Sequence, residues 1–374
     1  MHKSSFYGTL LNFLLDFLHK NALILRTFIY FCAKLYTMKE TLSSIARRTG
    51  YSITTVSRVL SGQAAQNRIS DKAREEIMKE ARRCNYSPNI IARNLRTSRT
   101  NTIGLILPSV ANPYFAELSS AVISEARRNG YTTIVTDSME NEDNQKANIA
   151  MLISRRVDGI IAAPCGDNPE LLEEINKTNI PVVLVDRPLK GSHLPHVTTN
   201  NYSGGFEATN ALIRNGHRHI ACIQGAKTSV PNMKRVAGYM DALKRVGLED
   251  NAVVVGNEFS LQNGYLETKL LLNSSPIPTA IFTLSNTIGL GAIKAIREAG
   301  LRIPEDISLI AFDNNIYMDY LVPAITRINQ PVEEMAKLAV KLLFESIETG
   351  KRPGTQIELA PELISRDSVK NLLP

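Results

Sequence analysis

Cysteine is scarce and scattered: Cys32, Cys84, Cys165 and Cys222 are the only four in 374 residues, and no two form a C-x-x-C pair. That spacing argues against a zinc cluster or a disulfide framework and fits a reducing, cytoplasmic compartment. Long uninterrupted apolar runs are missing as well. Within residues 1–37 the stretch "LLNFLLDFLHKNALILRTFIYFCAKLY" is rich in Phe, Leu, Ile and Tyr, but Asp16, His19, Lys20, Arg26 and Lys34 interrupt it. No run of about 18 uncharged apolar residues remains for a clean membrane span. A signal peptide would want one apolar core and a small-residue cleavage site, and the stretch matches neither well. The six histidines (His2, His19, His193, His196, His217, His219) accompany neither a G-x-S-x-G elbow nor an H-E-x-x-H helix. With no nucleophile–base constellation in view, the chain reads as a non-enzyme, and "NGHRHIA" reads as a packing turn rather than a metal site. Nothing calls for a cofactor. There is no solenoid period and no low-complexity tract.

What is present is a lopsided charge. Residues 38–100 hold 13 Lys and Arg against 5 Asp and Glu, whereas residues 101–374 hold 26 against 30. A compact basic module on a mildly acidic body points to a polyanion as the partner of the module alone. The length allows two or three domains with sizeable cores.

The basic module reads as short helices. "TLSSIARRTG" offers Thr41 as N-cap and Gly50 as stop; "SITTVSRVLSG" repeats the pattern with Ser52 and Gly62; "SDKAREEIMKEARRCN" has Ser70 as cap and Arg82 and Arg83 in its last turn. The first two form a helix-turn-helix pattern in which Ala46 permits close approach and Val56 and Val59 face the core. Ile53, Thr54, Ser57 and Arg58 are left on the outer face, suited to base edges and phosphates in a major groove. Beyond residue 101, apolar runs such as "TIGLILPSV", "VDGIIAAP", "IPVVLVDRP", "HIACIQG", "PTAIFTLS" and "ISLIAFDN" alternate with amphipathic helices. This predicts buried parallel strands in two successive doubly wound α/β units, with a cleft at the carboxyl ends of the strands.

Between the two regions lies "SPNIIARNLRT", residues 87–97. It starts like a helix, yet two turns fall well short of the roughly 12–15 residues that an isolated helix needs.

Taken in order, "TLSSIARRTGYSITTVSRVLSG", "NYSPNIIARNLRT", "TIGLILPSVANPYFAEL", "RRVDGIIAAP", "IPVVLVDRP", "NGHRHIACI", "RVAGYMDAL", "PTAIF", "GLRIPEDISLIAFDN" and "ELISRDS" resemble the LacI-type (LacI/GalR family) transcriptional regulators over residues 38–370. The resemblance implies a helix-turn-helix headpiece followed by a two-lobed α/β sensor like the type I periplasmic binding proteins. It implies an operator-binding regulator, a repressor, working as a cytoplasmic homodimer on double-stranded DNA under a carbohydrate-related effector, with no membrane partner. Base recognition would rest on Ile53, Thr54 and Arg58, with Ser52 and Ser57 nearby, and Thr41, Leu42, Ser70 and Tyr86 would meet the phosphate backbone. Residues 87–97 would be a hinge helix ordered in pairs over DNA: Leu95 wedges a minor-groove base step, Asn89 and Arg93 touch sugar or phosphate, and Ile91 and Ala92 meet the partner helix or the groove floor. One departure is the longer "SGQAAQNRIS" connection, which leaves phosphate contacts near Asn67 and Arg68 open.

For the effector the resemblance implies Tyr114, Phe115, Arg235, Phe259, Asn286, Asp313 and Gln330. Aromatic rings stack on a sugar or base face, Arg235 clamps a hydroxyl or carboxylate, and Asp313 and Asn286 bond polar edges. A packing role at a lobe interface stays open for each, above all for Tyr114 and Phe115. Asn286, and Asn200 in "TTNNYSGG", stand where family members commonly carry Asp, which tilts the expectation toward a sugar acid. The expected divisions are an atypical extension (1–37), headpiece (38–85), hinge and linker (86–99) and sensor (100–370). The sensor's N-lobe is expected at about 101–199 and 329–350, and its C-lobe at about 200–327 plus the tail. Residues 1–37 could be a membrane-associating extension, an inefficient anchor, or upstream sequence ahead of a start at Met38; the last is the expectation. The tail "VKNLLP" has no heptads for a tetramerising coil. The rival reading is a binding protein for transport, which would need an export signal and no basic headpiece.

Overall fold

The computed structural model describes residues 40–86 and 99–373. Residues 1–37, the expected start at Met38, and the expected hinge contacts Asn89, Ile91, Ala92, Arg93 and Leu95 lie outside the described residues. Two compact units divide at Ser98 and Arg99 and are taken separately. Among the described residues no helix is long and apolar enough to cross a membrane.

The basic unit is a three-helix bundle: α1 (Leu42–Thr49), α2 (Ile53–Leu60) and α3 (Asp71–Arg83). Each helix starts where an oxygen side chain satisfies an otherwise unpaired amide. Thr41 accepts from the Ser44 amide at 3.2 Å, Ser52 from Thr55 at 3.0 Å, and Ser70 from Ala73 at 3.3 Å. Gly50 ends α1 in the left-handed region, at φ 75°, and its amide closes on the Ala46 carbonyl. Ile45, Val56, Val59 and Ile77 meet in a small core, at roughly 1.5–3 kcal/mol for each fully buried aliphatic side chain. The long connection before α3 is anchored rather than loose: Ala64 is buried, and its carbonyl accepts from Ile69 at 3.0 Å.

The second unit contains two six-stranded sheets. The first pairs β1 (Thr102–Leu107), β2 (Thr132–Asp137), β3 (Gly159–Ala162), β4 (Val182–Val185), β5 (His196–Thr199) and β11 (Gln356–Leu359) in the order β11-β5-β4-β3-β1-β2, all parallel. The second pairs β6 (Ile220–Ile223), β7 (Val253–Val255), β8 (Ala280–Thr283), β9 (Ser308–Phe312), β10 (Thr326–Asn329) and β12 (Glu362–Ile364) in the order β12-β10-β9-β8-β6-β7, with only β12 antiparallel. Helices cover both faces of each sheet. On the first these are α4 (Pro113–Arg128), α5 (Glu142–Ser154), α6 (Glu170–Asn176) and α11 (Val332–Thr349). The second carries α7 (Asn201–Arg214), α8 (Val230–Lys244), α9 (Leu261–Leu272) and α10 (Asn286–Glu298). Helices α4 and α11 close one core over the first sheet, with Leu105, Phe115, Leu118, Met335 and Leu343 inside it. Buried-on-both-faces strands explain the continuous apolar runs in the sequence.

The chain passes between lobes after β5, after β10 and after β11. The first sheet therefore takes in Gln356–Leu359, past the expected N-lobe limit of 350. This four-residue strand, half exposed at the sheet edge, carries no apolar run to announce it.

Candidate DNA-reading face and effector cleft

In the headpiece, burying Val56 and Val59 turns the opposite side of α2 outward. Ile53 is 52% exposed, and Ser52, Thr54 and Arg58 share that exposure, while Ser57 is half-buried. Thr41 is exposed and Leu42 half-buried at the start of α1, Ser70 is exposed at the start of α3, and Tyr86 packs on the core. The hydroxyls of Thr41, Ser52 and Ser70 are already engaged as caps, so what these positions present outward is the amide end of a helix, a favourable place for an anion. The α1 end is braced from behind: Arg48 pairs with Glu40 at 2.5 Å and Glu80 at 3.4 Å, and Tyr51 donates to Glu76 at 2.7 Å.

In the sensor, the chemistry gathers between the lobes at the carboxyl ends of the strands. Asp186 directly follows β4 and Asp313 directly follows β9, the third strand in each sheet order, and both residues adopt positive φ, 65° and 77°. Left-handed backbone at a non-glycine residue is strained by about 1–3 kcal/mol and persists where neighbours hold it. Here the neighbours are visible. Asp186 accepts from the Tyr114 hydroxyl at 2.7 Å. Asp313 accepts from the Asn286 amide at 3.1 Å and from Gln330 Nε2 at 2.7 Å. Burial raises both carboxyls above their ordinary range, and the nearby Arg235 guanidinium offsets part of that rise.

Arg235 is 4% exposed. Its Nε donates to Asn201 Oδ1 and its Nη1 to the Leu284 carbonyl, both at 2.7 Å, and the guanidinium lies 3.6 Å from the Phe312 ring centroid. Burial lowers its pKa, with Asp313 and Asp186 acting against that. Glycines make this placement possible. A Cβ on Gly205 would stand 2.2 Å from the Arg235 carbonyl oxygen, and one on Gly238 2.2 Å from that of Tyr202, so α7 and α8 touch backbone to backbone.

Tyr114, Phe115, Arg235, Phe259, Asp313 and Gln330 all line one narrow space of about 20 Å³, joined by Asp186, Arg187, Ser229 and Ser285. The Tyr114 hydroxyl is bonded to Asp186, and burial followed by Asp186 pushes its phenol pKa well up. Asn286 does not line the space. Its carboxamide is fully buried, bonded to Asn315 and to the Thr287 amide at 2.6 Å, and only its backbone amide serves the site. Asn200 likewise spends its side chain capping α7 on the Ser203 amide at 2.9 Å. Both amides are thus engaged within the protein, and neither Asn200 nor Asn286 lines the ligand space. Asp186 and Arg187 were missed by pattern reading, although "VVLVDRP" puts them where a parallel strand delivers ligand-facing residues.

Comparison with known proteins agrees on both units. The family described as bacterial regulatory proteins, lacI family, matches residues 41–89, and that described as periplasmic binding protein-like domain matches residues 209–369. The HTH-type transcriptional repressor PurR of Pasteurella multocida is 35% identical over 337 residues, covering 89% of this chain and 99% of that one. A lac repressor dimer bound to operator and the anti-inducer ONPF superposes with a TM-score of 0.79 at 27% identity, over 88% of this chain and 99% of that one. A LacI family regulator of Enterococcus faecium with bound ribose gives 0.66 at 28% identity, over 73% and 100%.

Proposed function

Given that the chain belongs to the lacI family of bacterial regulatory proteins and is a DNA-binding transcriptional repressor, we propose that its operator occupancy is set by a neutral carbohydrate held between the lobes of its sensor. The observation that carries this reading is the pair of buried carboxylates, Asp186 and Asp313, meeting Arg235 and two aromatic rings in one cleft. Carboxylates and a guanidinium together accept from and donate to hydroxyl groups, and Phe115 and Phe259 suit the apolar face of a sugar ring. Two such carboxylates repel an anionic ligand, which sets a sugar acid below a neutral sugar. The ribose bound to the Enterococcus faecium relative supports the same class.

The coupling is thermodynamic. A ligand shifts the lobes only by the difference in its affinity for their two arrangements, and that shift reaches the DNA through residues 86–99. On the DNA side, Ile53, Thr54 and Arg58 read base edges, and the helix starts at Thr41, Ser52 and Ser70 face phosphates; Asn89, Ala92, Arg93 and Leu95 act in the minor groove. A homodimer is proposed, supported by exposed apolar residues on one lobe, Ile316 at 76%, Tyr320 at 78% and Val322 at 81%.

Operator titrations with and without neutral sugars and their acid counterparts test the proposal. A neutral sugar shifts operator affinity and its acid does so at least tenfold more weakly, a difference of about 1.4 kcal/mol; the reverse order rejects it. Arg58→Ala is expected to lose about 1–3 kcal/mol on the preferred operator and to relax sequence choice there.

A further inference from the structure

The second sheet ends on a strand too short for the helix that follows it. β7 holds three residues and pairs only with β6, whereas β2, at the matching edge of the first sheet, holds six. Helix α9 runs on for 12 residues, and its last turns have too little sheet to cover. Leu270 is 66% exposed there and Val253 40%. Between helix and sheet lies a groove of about 490 Å³, inside the roughly 300–1,000 Å³ of ligand pockets. Val253 and Val255 line it from the sheet, Leu270 and Leu271 from α9, and Pro276 and Pro278 from the loop into β8.

The backbone beside this groove is set for pairing. The Val255 carbonyl accepts from the Gln224 amide at 2.8 Å, so Val255 faces β6. Backbone groups alternate along a strand, and Val254 therefore turns its amide and carbonyl toward the open edge. Side chains alternate too: Val253 and Val255 line the groove under α9, while Val254 packs into the core on the opposite face. A strand laid along β7 would bond to Val254 and drop every second side chain into the groove.

Charge narrows the occupant. Asp250 and Glu267 line the groove, no Lys or Arg joins them, and neither carboxylate forms an ion pair among the described residues. A second copy of this edge would bring the same two carboxylates, so self-pairing is opposed, whereas a cationic strand is attracted.

We propose that this edge docks an extended, basic segment of a partner protein. The segment adds a strand to β7, sets apolar side chains at alternate positions against Val253, Val255 and Leu270, and places a Lys or Arg against Asp250 or Glu267. The shortness of β7 protects it from indiscriminate pairing, and the groove supplies the selectivity that main-chain bonds lack. The site shares no residue with the inner cleft or the DNA-reading face.

Selection of displayed random peptides on the full-length protein, followed by fluorescence-anisotropy titration of the recovered sequences as synthetic peptides, tests this. Recovered peptides are expected to alternate apolar residues and to carry Lys or Arg. Leu270→Asp should weaken them about tenfold or more. Val254→Pro, which removes the outward amide at an edge where proline is tolerated, should do the same. The two variants alter different parts of the site, so a folding fault in one is exposed by the other. Asp250→Lys with Glu267→Lys should reverse the preference toward peptides in which Glu replaces the basic residues. Operator affinity is expected to persist in all of them. Peptides that bind every variant unchanged, that are acidic, or that are indifferent to Val254→Pro overturn the proposal, as does a selection that returns no peptide dependent on Leu270. Self-association of the native chain that Val254→Pro abolishes also overturns it, by giving the edge to a second copy.

Discussion

Arg235 does structural and ligand-facing work at once, and the two can be separated by experiment. Its Nε and Nη1 hold Asn201 and the Leu284 carbonyl, so truncation would strand two acceptors, leave Asp313 buried without its cation and leave Asp186 with Arg187 alone. Arg235→Ala is accordingly expected to destabilise the sensor by about 3–5 kcal/mol in denaturant titration. Arg235→Lys keeps the charge but cannot reproduce the two-point planar geometry. It should retain operator affinity and lose the carbohydrate response; an unchanged response would remove Arg235 from the ligand's partners. A second residue ties stability to pH. His217 is 1% exposed, with Nε2 3.1 Å from the Lys370 carbonyl and Nδ1 2.9 Å from the Thr279 hydroxyl. The Lys370 carbonyl can only accept, so neutral His217 donates from Nε2, while the Thr279 hydroxyl stands between Nδ1 and the His219 carbonyl at 3.2 Å. Burial lowers its folded pKa below the ordinary value near 6.5. The unfolded chain then binds the proton more readily, so this contribution is complete above about pH 6.5 and is lost as pH falls toward the folded pKa, by up to about 1.4 kcal/mol per pH unit. Denaturant titrations at pH 7.5 and 5.5 should show a larger loss for the native chain than for His217→Gln; equal losses would mean another group carries the dependence.

At the scale of elements, the turn between α1 and α2 rests on one backbone conformation. Nothing lies within 4 Å of where a Gly50 Cβ would stand, so substitution there meets φ 75° and no steric clash. Gly50→Ala should lower headpiece stability by about 1–2 kcal/mol and Gly50→Asn by less, since Asn tolerates the left-handed region. Thermal melting with operator titration checks the order, and equal effects would point away from backbone strain. That turn was plain in the sequence, as were the caps at Thr41, Ser52 and Ser70 and the apolar strands, because each is set by local chemistry. Elements defined by their neighbours were not. Gln356–Leu359 becomes a strand of the first sheet only because β5 offers an open edge. Asp186 becomes a site residue only because β4 ends opposite Asp313 on the other lobe. Asn286 shows the converse: its residue type fitted a ligand contact, and tertiary packing turned its side chain away into a bond with Asn315.

For the whole molecule, charge and apolar exposure assign different partners to different regions. Residues 38–100, with 13 basic against 5 acidic residues, are drawn to DNA, but one eight-residue reading helix meets a single half-site. We propose that specific occupancy at ordinary salt uses a second copy, and that the segment following β9 meets it. Met318 is fully buried there and anchors a short helical turn, Ile316–Asp319, while Ile316, Tyr320 and Val322 stand outward. Arg327 pairs with Asp319 at 2.8 Å and Arg366 with the same carboxylate at 2.7 Å, bonds that hold this carboxyl down at about 2 and the segment in shape through the physiological range. Apolar side chains on so firmly held a backbone form a preset face, which suits self-association better than an adaptable loop would. Tyr320→Asp together with Val322→Asp places charge on that face without touching the core. Sedimentation velocity should then report a monomer where the native chain is expected to sediment as a dimer, and operator affinity should fall by about a hundredfold or more as half-sites are bound singly. A double variant that stays dimeric places the contact between copies elsewhere, and one that is monomeric yet binds operator unchanged removes the need for two copies.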